Sequence, residues 1–550
     1  LPKPVSGHFP TVSGEKLSSS ESCEAMGVRR TAPPLGLITI AAMLPPHWRL
    51  RLIDCNVEPL HDADIDAADL VMTGGMLPQQ ADTFELIRRC RELGRPVIVG
   101  GPDVSSSPHL YSAADFRFIG EAEGTIGGFV DDFERGVRSG EYTAPKFQAD
   151  VSASPKPRYD LLDLKNYLYL SVQFSRGCPF TCEFCDIIEL YGRAPQTKAI
   201  DQVLTELSAL HAMGYRGHVD FVDDNFIGNK KNVKLLLPHL IQWQRDHDYP
   251  FEFSTEASLN LADDMALLQM MKEANFFTVF IGIESPDEDT LTATSKKQNT
   301  RRSIVESLRR IYGAGMYVTA GFILGFDTES DATGRQLIDF IGESGVPVCM
   351  VGLLYALPNT QLTRRLAAQG RLHPGYDVLP EGGDQCTVGL NYDPTRPLRD
   401  ILLDYRAVLQ AIYEPAAYIR RVEHLMEMLD RSERGTNLSE VDVRNRVDPA
   451  DVMRRILREV PEAKASFWRC IRRCANDNPE SLRMMIGLMV LYLHLRPFSR
   501  LVIQAIDRRI ASLPEGDSMS PPMHRSFAPS LREEPMRFHR SAPVSSDRPT

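Results

Sequence analysis

The chain has 550 residues, a formal net charge of −11, 43% hydrophobic residues and 25% charged residues. This is the make-up of a globular protein too long for one core, so two or three domains are expected. The acidic balance argues against a general nucleic-acid binder, whose footprint is a basic face, and no segment reaches the roughly 20 apolar residues of a membrane span.

Residues 1–30 are polar and without periodicity. Between 31 and 137 the pattern is α/β: strands at Arg49 to Asp54, Leu70 to Thr73, Pro96 to Val99 and Phe116 to Ile119, with a helix from Pro78 to Leu93. Several of these strands run into glycine, at Gly74-Gly75, Gly100-Gly101 and Gly120. Short apolar strands alternating with helices predict a doubly wound parallel sheet, whose ligands bind outside the carboxyl ends of the strands. The glycines can serve a flat cofactor by leaving backbone bare, or serve turn geometry alone. A Pro-containing linker at 138–166 leads to a second block, 167–370, with strands at Tyr169 to Ser175, Gly217 to Val222, 251–255, 278–283, 317–324 and 348–354. Six strand-helix units predict a partial (β/α)6 barrel rather than a closed eight-unit one. Residues 371–512 read as a mainly helical C-terminal domain, including Leu398 to Met428 and the apolar run Met484 to Leu493 as a buried helix; 513–550 read as a disordered tail.

Cys178, Cys182 and Cys185 stand in Arg176-Gly-Cys-Pro-Phe-Thr-Cys-Glu-Phe-Cys-Asp186. Three thiolates at this spacing suit three irons of a [4Fe-4S] cubane, leaving the fourth iron open to a substrate or cofactor. Structural zinc would normally have four ligands, and no second Cys pair or nearby His supplies them. A disulfide pair is a poor reading for ten cysteines scattered through so long a chain. An open cluster needs a reducing compartment, so a cytoplasmic location is expected. Polar residues follow the other predicted strands: Asp223-Asp224-Asn225, Glu256, Glu284-Ser285 and Asp327. A parallel barrel gathers such ends on one rim, where active sites are built. Each acid alone could equally be a helix cap.

The triplet, with an aromatic residue before its last cysteine, resembles the signature of the radical S-adenosylmethionine (SAM) enzymes. Phe221-Val-Asp-Asp-Asn-Phe-Ile-Gly-Asn229, Thr255-Glu-Ala-Ser-Leu-Asn260 and Phe280-Ile-Gly-Ile-Glu-Ser-Pro286 resemble the cobalamin-binding subclass, in the branch that includes the hopanoid C-2 methylase. The resemblance implies that Asp223 or Asp224 accepts from the SAM amino group with Asn225 beside them in the cofactor site, that Glu284 and Ser285 meet its ribose or carboxylate, and that backbone between Gly321 and Gly325 meets adenine. It implies a cobalamin platform at Gly74, Gly75, Gly100, Gly101 and Gly120, although no Asp-x-His-x-x-Gly motif offers a cobalt-ligating histidine. Glu256, Tyr191 and Arg193 are candidates to face substrate. The implied activity is C-methylation of an unactivated carbon in a polycyclic lipid or other hydrophobic small molecule, with electrons from a flavodoxin or ferredoxin and with peripheral membrane contact as an accompanying expectation. Ring closure, oxidation or rearrangement without methyl transfer is the alternative, and a non-catalytic cobalamin or redox sensor a further one.

Overall fold

The computed structural model describes residues 28–379, 389–430 and 464–514, with a few isolated positions besides. The predicted tail at 513–550 lies almost wholly outside the described residues, as do Cys386 and most of the first thirty.

The first sheet is all parallel, in the order β1 (Val71–Gly74), β2 (Val97–Gly100), β3 (Phe116–Ile119) and β4 (Gly140–Thr143). Alternation along β2 sends Val97 and Val99 into one apolar layer with Leu86, Ile87 and Cys90, and Ile98 into another with Phe116, Phe118 and Phe129. Both faces are thus covered, as a doubly wound sheet requires. Two expectations need correction. Residues 49–54 form no strand; the Asp54 side chain there instead accepts hydrogen bonds from Asn56 and from the Tyr167 hydroxyl, a local turn that competes with extended structure. The segment read as a linker supplies β4, whose half-exposed edge position needs no apolar run.

The second sheet has six parallel strands in the order β12-β11-β10-β9-β8-β5: β5 Leu170–Val172, β8 Gly217–Phe221, β9 Phe251–Glu256, β10 Phe276–Glu284, β11 Tyr317–Leu324 and β12 Val348–Leu353. This is the predicted partial barrel. Its first strand is shorter than expected, because Ser175–Arg176 (β6) leaves it to pair antiparallel with Gln196–Thr197 (β7). That ribbon encloses the cysteine triplet.

The helices Leu398–Ile412, Pro415–Met428, Lys464–Asp477 and Leu482–Ser512 share one continuous apolar core with the barrel. Pro415 at the first position of its helix splits the single predicted run of 398–428. The last helix is longer than the apolar run that announced it, and Pro479–Ser512 is long and apolar enough by length and composition to cross a membrane. Half of its most apolar window is buried, and Met485, Leu488, Leu493, Val502 and Ile506 face the protein core.

Candidate active site

The cysteine loop is held from beneath by main-chain hydrogen bonds. Gly177, at φ 95°, lies so close to Gly192 and Tyr191 that a Cβ there would meet the Gly192 carbonyl at 3.0 Å. Glycine is required on both counts. The Cys178 N–H donates to that carbonyl at 3.3 Å, and the Glu183 N–H to Thr294 at 3.0 Å. Glu183 and Asp327 both bind Arg365, at 2.8 and 2.7 Å, and Asp327 also binds Arg371 at 2.6 Å. Asp327 is therefore committed to arginines that brace the loop, and those arginines hold its carboxyl below the usual range against the opposing effect of burial.

Two amide side chains point donors at the sulfurs. Asn225 Nδ2 lies 3.7 Å from Cys178 Sγ, and Gln298 Nε2 lies 3.5 Å from Cys182 Sγ. Burial pushes the Cys178 and Cys185 thiols up. Lys296 is buried, pairs with Glu284 at 2.6 Å and lies over the Phe184 ring at 5.9 Å. Burial opposes its charge, but Glu284 and Cys182 outweigh that and hold the ammonium above the ordinary lysine range. Among the described residues no three His, Cys, Asp or Glu side chains converge on a point as a single ion would need. A cubane asks for one thiolate on each of three irons, and its negative sulfurs call for the amide donors and cation found here. The residues fit a cluster.

The predicted rim acids divide into two kinds. Asp223 accepts the main-chain N–H groups of Phe174 and Ser175, and Asp224 accepts that of Gly177 at 2.8 Å. Burial pushes Asp223 up to about 7 and Asp224 up to about 6. Both oxygens of Asp223 are engaged, so it fixes the approach to Cys178. Glu284 is different: at φ 68° it closes a bulge in β10, and its carboxylate lies beside Gly282 and Gly321 on the barrel interior. Ser285 accepts the Asp287 N–H at 3.2 Å. Gly325 is covered by Leu390 and by Tyr392, whose hydroxyl donates to its carbonyl at 2.8 Å, so of that pair only Gly321 faces the Glu284 side.

Glu256 ends β9 and is raised well above the carboxylate range by burial and by Asp220, Asp224 and Asp223. Asp220 accepts the Ser254 hydroxyl, and Ser254 lies 2.6 Å from His218. His218, Asp220 and Ser254 were missed in sequence; their alternate spacing on β8 and β9 was the available signal. Lys296 and Gln298 were missed too, because the loop after a short helix gives no periodicity. Tyr191 is half-buried with its main-chain carbonyl beside Gly177, and Arg193 is exposed.

The carboxyl ends of the two sheets face each other. After β3, Glu121 and Glu123 bind Arg176, each at 2.9 Å. After β2, the Ser106 carbonyl accepts from Asn359 at 2.8 Å, and His109 pairs with Asp377 at 3.1 Å. After β1, Gln80 donates to the Asp377 carbonyl at 3.0 Å and accepts the Leu379 N–H at 3.1 Å, while Leu77 packs with Tyr355 and Leu379. The glycines of this rim are packed on each other: a Cβ on Gly74 would meet the Gly100 carbonyl at 2.9 Å, and one on Gly101, at φ 97°, would meet the Gly75 carbonyl at 2.9 Å. Close approach of two loops accounts for these four. Thr73 Oγ1, Gln79 Nε2 and Ser107 Oγ are buried here without a hydrogen-bond partner, an arrangement that costs stability unless a ligand completes it.

Residues 172–341 match the radical SAM superfamily, and residues 360–508 match a domain of unknown function, DUF4070. An uncharacterized methyltransferase of Synechocystis sp. is 46% identical over 400 residues, covering 72% of this chain and 74% of that protein. The hopanoid C-2 methylase of Rhodopseudomonas palustris is 38% identical over 396 residues, covering 71% of this chain and 73% of that one. Among solved structures, the cobalamin-dependent SAM radical enzyme OxsB with aqua-cobalamin bound superposes with a TM-score of 0.57 at 15% identity, covering 90% of this chain and 80% of that one, which shows a common fold. With the cysteine loop, its amide donors and the six-stranded sheet in place, the chain belongs to the radical SAM superfamily, in the methyltransferase branch that contains hopanoid C-2 methylase, and its cofactors are a [4Fe-4S] cluster and SAM.

Proposed function

We propose that this protein is a cobalamin-dependent C-methyltransferase acting on an unactivated carbon of a polycyclic lipid. The observation that carries the reading is the opposition of the two rims: one holds the cysteine loop, the other holds three buried polar atoms without partners, and contacts after β1, β2 and β3 bind them together. The similarity to hopanoid C-2 methylase supports a lipid substrate. When bound, the cluster supplies the electron that cleaves SAM, and the corrinoid supplies the methyl group.

The residues divide the work. Cys178, Cys182 and Cys185 hold the cluster, with Asn225 and Gln298 donating toward two of the sulfurs. Glu284, fixed by Lys296, holds its buried carboxylate against Gly282, with Gly321 next to it, and this end of β10 would meet SAM. Glu256 faces the interior as a group that favours its neutral form and can donate a hydrogen bond without placing charge beside an apolar substrate. Thr73, Gln79 and Ser107 would meet a polar edge of the corrinoid, and His109 is paired with Asp377. A flavodoxin or ferredoxin serves as the electron donor. A lipid substrate requires contact with a membrane surface, and the open cluster requires a reducing compartment.

The test is a comparison of lipid and pigment extracts from a strain lacking this gene and its parent by mass spectrometry. The proposal expects a polycyclic lipid lighter by one methylene in the deletion strain. Loss of a pigment modification, with lipids unchanged, overturns the substrate class.

A further inference from the structure

Arg176 lies two residues before Cys178, and all three of its guanidinium nitrogens are engaged. Its Nε donates to Gln173 at 2.9 Å, Nη1 to Glu121 at 2.9 Å and to Glu123 at 3.1 Å, and Nη2 lies 2.9 Å from the other Glu123 oxygen. The pairing with Glu123 is bidentate, the geometry that fixes direction as well as distance. Side-chain exposure is 14% for Arg176, 7% for Glu121 and 5% for Glu123. A surface pair at these distances would count for little; a buried one strongly resists the loss of either partner. The acids follow β3 directly, after Gly120 at φ 87°, and Glu123 also accepts the Ser154 hydroxyl. One guanidinium therefore joins the carboxyl rim of the first sheet to the root of the cysteine loop.

We propose that Arg176, Glu121 and Glu123 form a positioning clamp that sets the separation between the corrinoid rim and the cluster rim, so that hydrogen abstraction and methyl delivery act on the same substrate carbon. This rests on the proposed function. None of the three residues touches the reacting atoms; they act through Gly177-Cys178 on one side and Gly120 on the other. A coupled turnover uses two SAM and two electrons from the reductant: one SAM gives its methyl group to the reduced corrinoid and leaves as S-adenosylhomocysteine, the other takes an electron, loses methionine and carries off the substrate hydrogen as 5′-deoxyadenosine, and the second electron re-reduces the corrinoid after methyl transfer, so each 5′-deoxyadenosine accompanies one methylated product. In an uncoupled turnover the same SAM cleavage uses an electron and a hydrogen atom from the chemical reductant and its medium, and yields 5′-deoxyadenosine and methionine with no methylated product.

The test compares reconstituted, corrinoid-loaded wild type with Glu123→Gln and Arg176→Lys, given SAM, titanium(III) citrate and a hopanoid in detergent. The wild type is expected near one 5′-deoxyadenosine per methylated product. Both variants are expected to keep iron content and raise that ratio roughly tenfold, because a misplacement of about 1 Å suffices for losses of this order. Amide exchange should quicken at both 120–124 and 174–178 in Glu123→Gln. Arg176→Lys retains the charge and guards against simple misfolding. An unchanged ratio with a lowered melting temperature overturns the clamp. Wild type that cleaves SAM and makes no methylated product overturns the proposed function, whereas exchange that quickens on one side only overturns the clamp alone.

Discussion

The two facing rims differ in their charged groups, although each buries unpartnered atoms, Ser175 Oγ and Gln298 Oε1 among them on the barrel side. The barrel rim satisfies its charges internally: Asp223 and Asp224 on main-chain N–H groups, Asp327 between two arginines, Glu284 on Lys296. The rim of the first sheet carries glycines packed on glycines and leaves Thr73, Gln79 and Ser107 unpartnered. A small, highly charged cofactor needs a rigid, pre-set frame. A large, flat one can be held by a surface completed only when it arrives. Acids at strand ends are therefore not interchangeable: Asp223, Asp224 and Asp327 hold loops in place, whereas Glu284 closes a bulge in β10 against Lys296.

The largest effect expected is at the cluster. Cys182→Ala should abolish SAM cleavage, measured as 5′-deoxyadenosine, and reduce iron to background, while corrinoid content stays near that of the wild type. Loss of both cofactors together would break the separation of the two rims.

Next is the buried pair. Lys296→Met leaves Glu284 buried without its partner and should destabilise the protein by roughly 3–5 kcal/mol, read by denaturant unfolding. Adding Glu284→Gln should restore part of that stability but not SAM affinity. Full recovery of SAM binding in the double variant would reduce the pair to a structural one.

On the other rim the sign reverses. Thr73→Val removes a buried hydroxyl that has no partner, so the corrinoid-free protein should gain about 1 kcal/mol while corrinoid binding weakens by roughly five- to tenfold. By contrast, Gly101→Val should destabilise the first sheet whether or not corrinoid is present, since it must strike the Gly75 carbonyl from a positive φ.

The smallest effect concerns pH. The Asp223 carboxyl is raised from 3.8 to about 7, chiefly by burial. The folded state therefore holds its proton where the unfolded state has lost it. The stability it contributes is present below about pH 4 and is lost as pH rises toward 7. Asp223→Asn should flatten the stability profile across that window relative to wild type, measured by thermal melts at several pH values. An unchanged slope would show the aspartate already ionised in the fold.

Much of this was legible in sequence because strand-end polarity and glycine spacing survive as short local patterns. The β11 strand at Tyr317–Leu324 has the bounds read from sequence. Other features could not be read, for physical reasons. Lys296 and Gln298 reach the cysteines only because the chain after β10 doubles back, and β4 is an edge strand with half its residues exposed. The roles of Asp223 and Asp224 depend on which N–H groups lie opposite, a tertiary fact that spacing does not encode. The glycines of the first rim were visible, but their partners were each other.

The central claim is that a corrinoid without an imidazole ligand sits on the first rim, opposite the cluster. Electron paramagnetic resonance of the Co(II) form tests it most directly, with the cluster first oxidised and then reduced. The account predicts a base-off signal without nitrogen superhyperfine splitting, which broadens when the neighbouring cluster is made paramagnetic by reduction. A nitrogen-split signal that is indifferent to the state of the cluster, or protein that cleaves SAM yet retains no corrinoid, would contradict it.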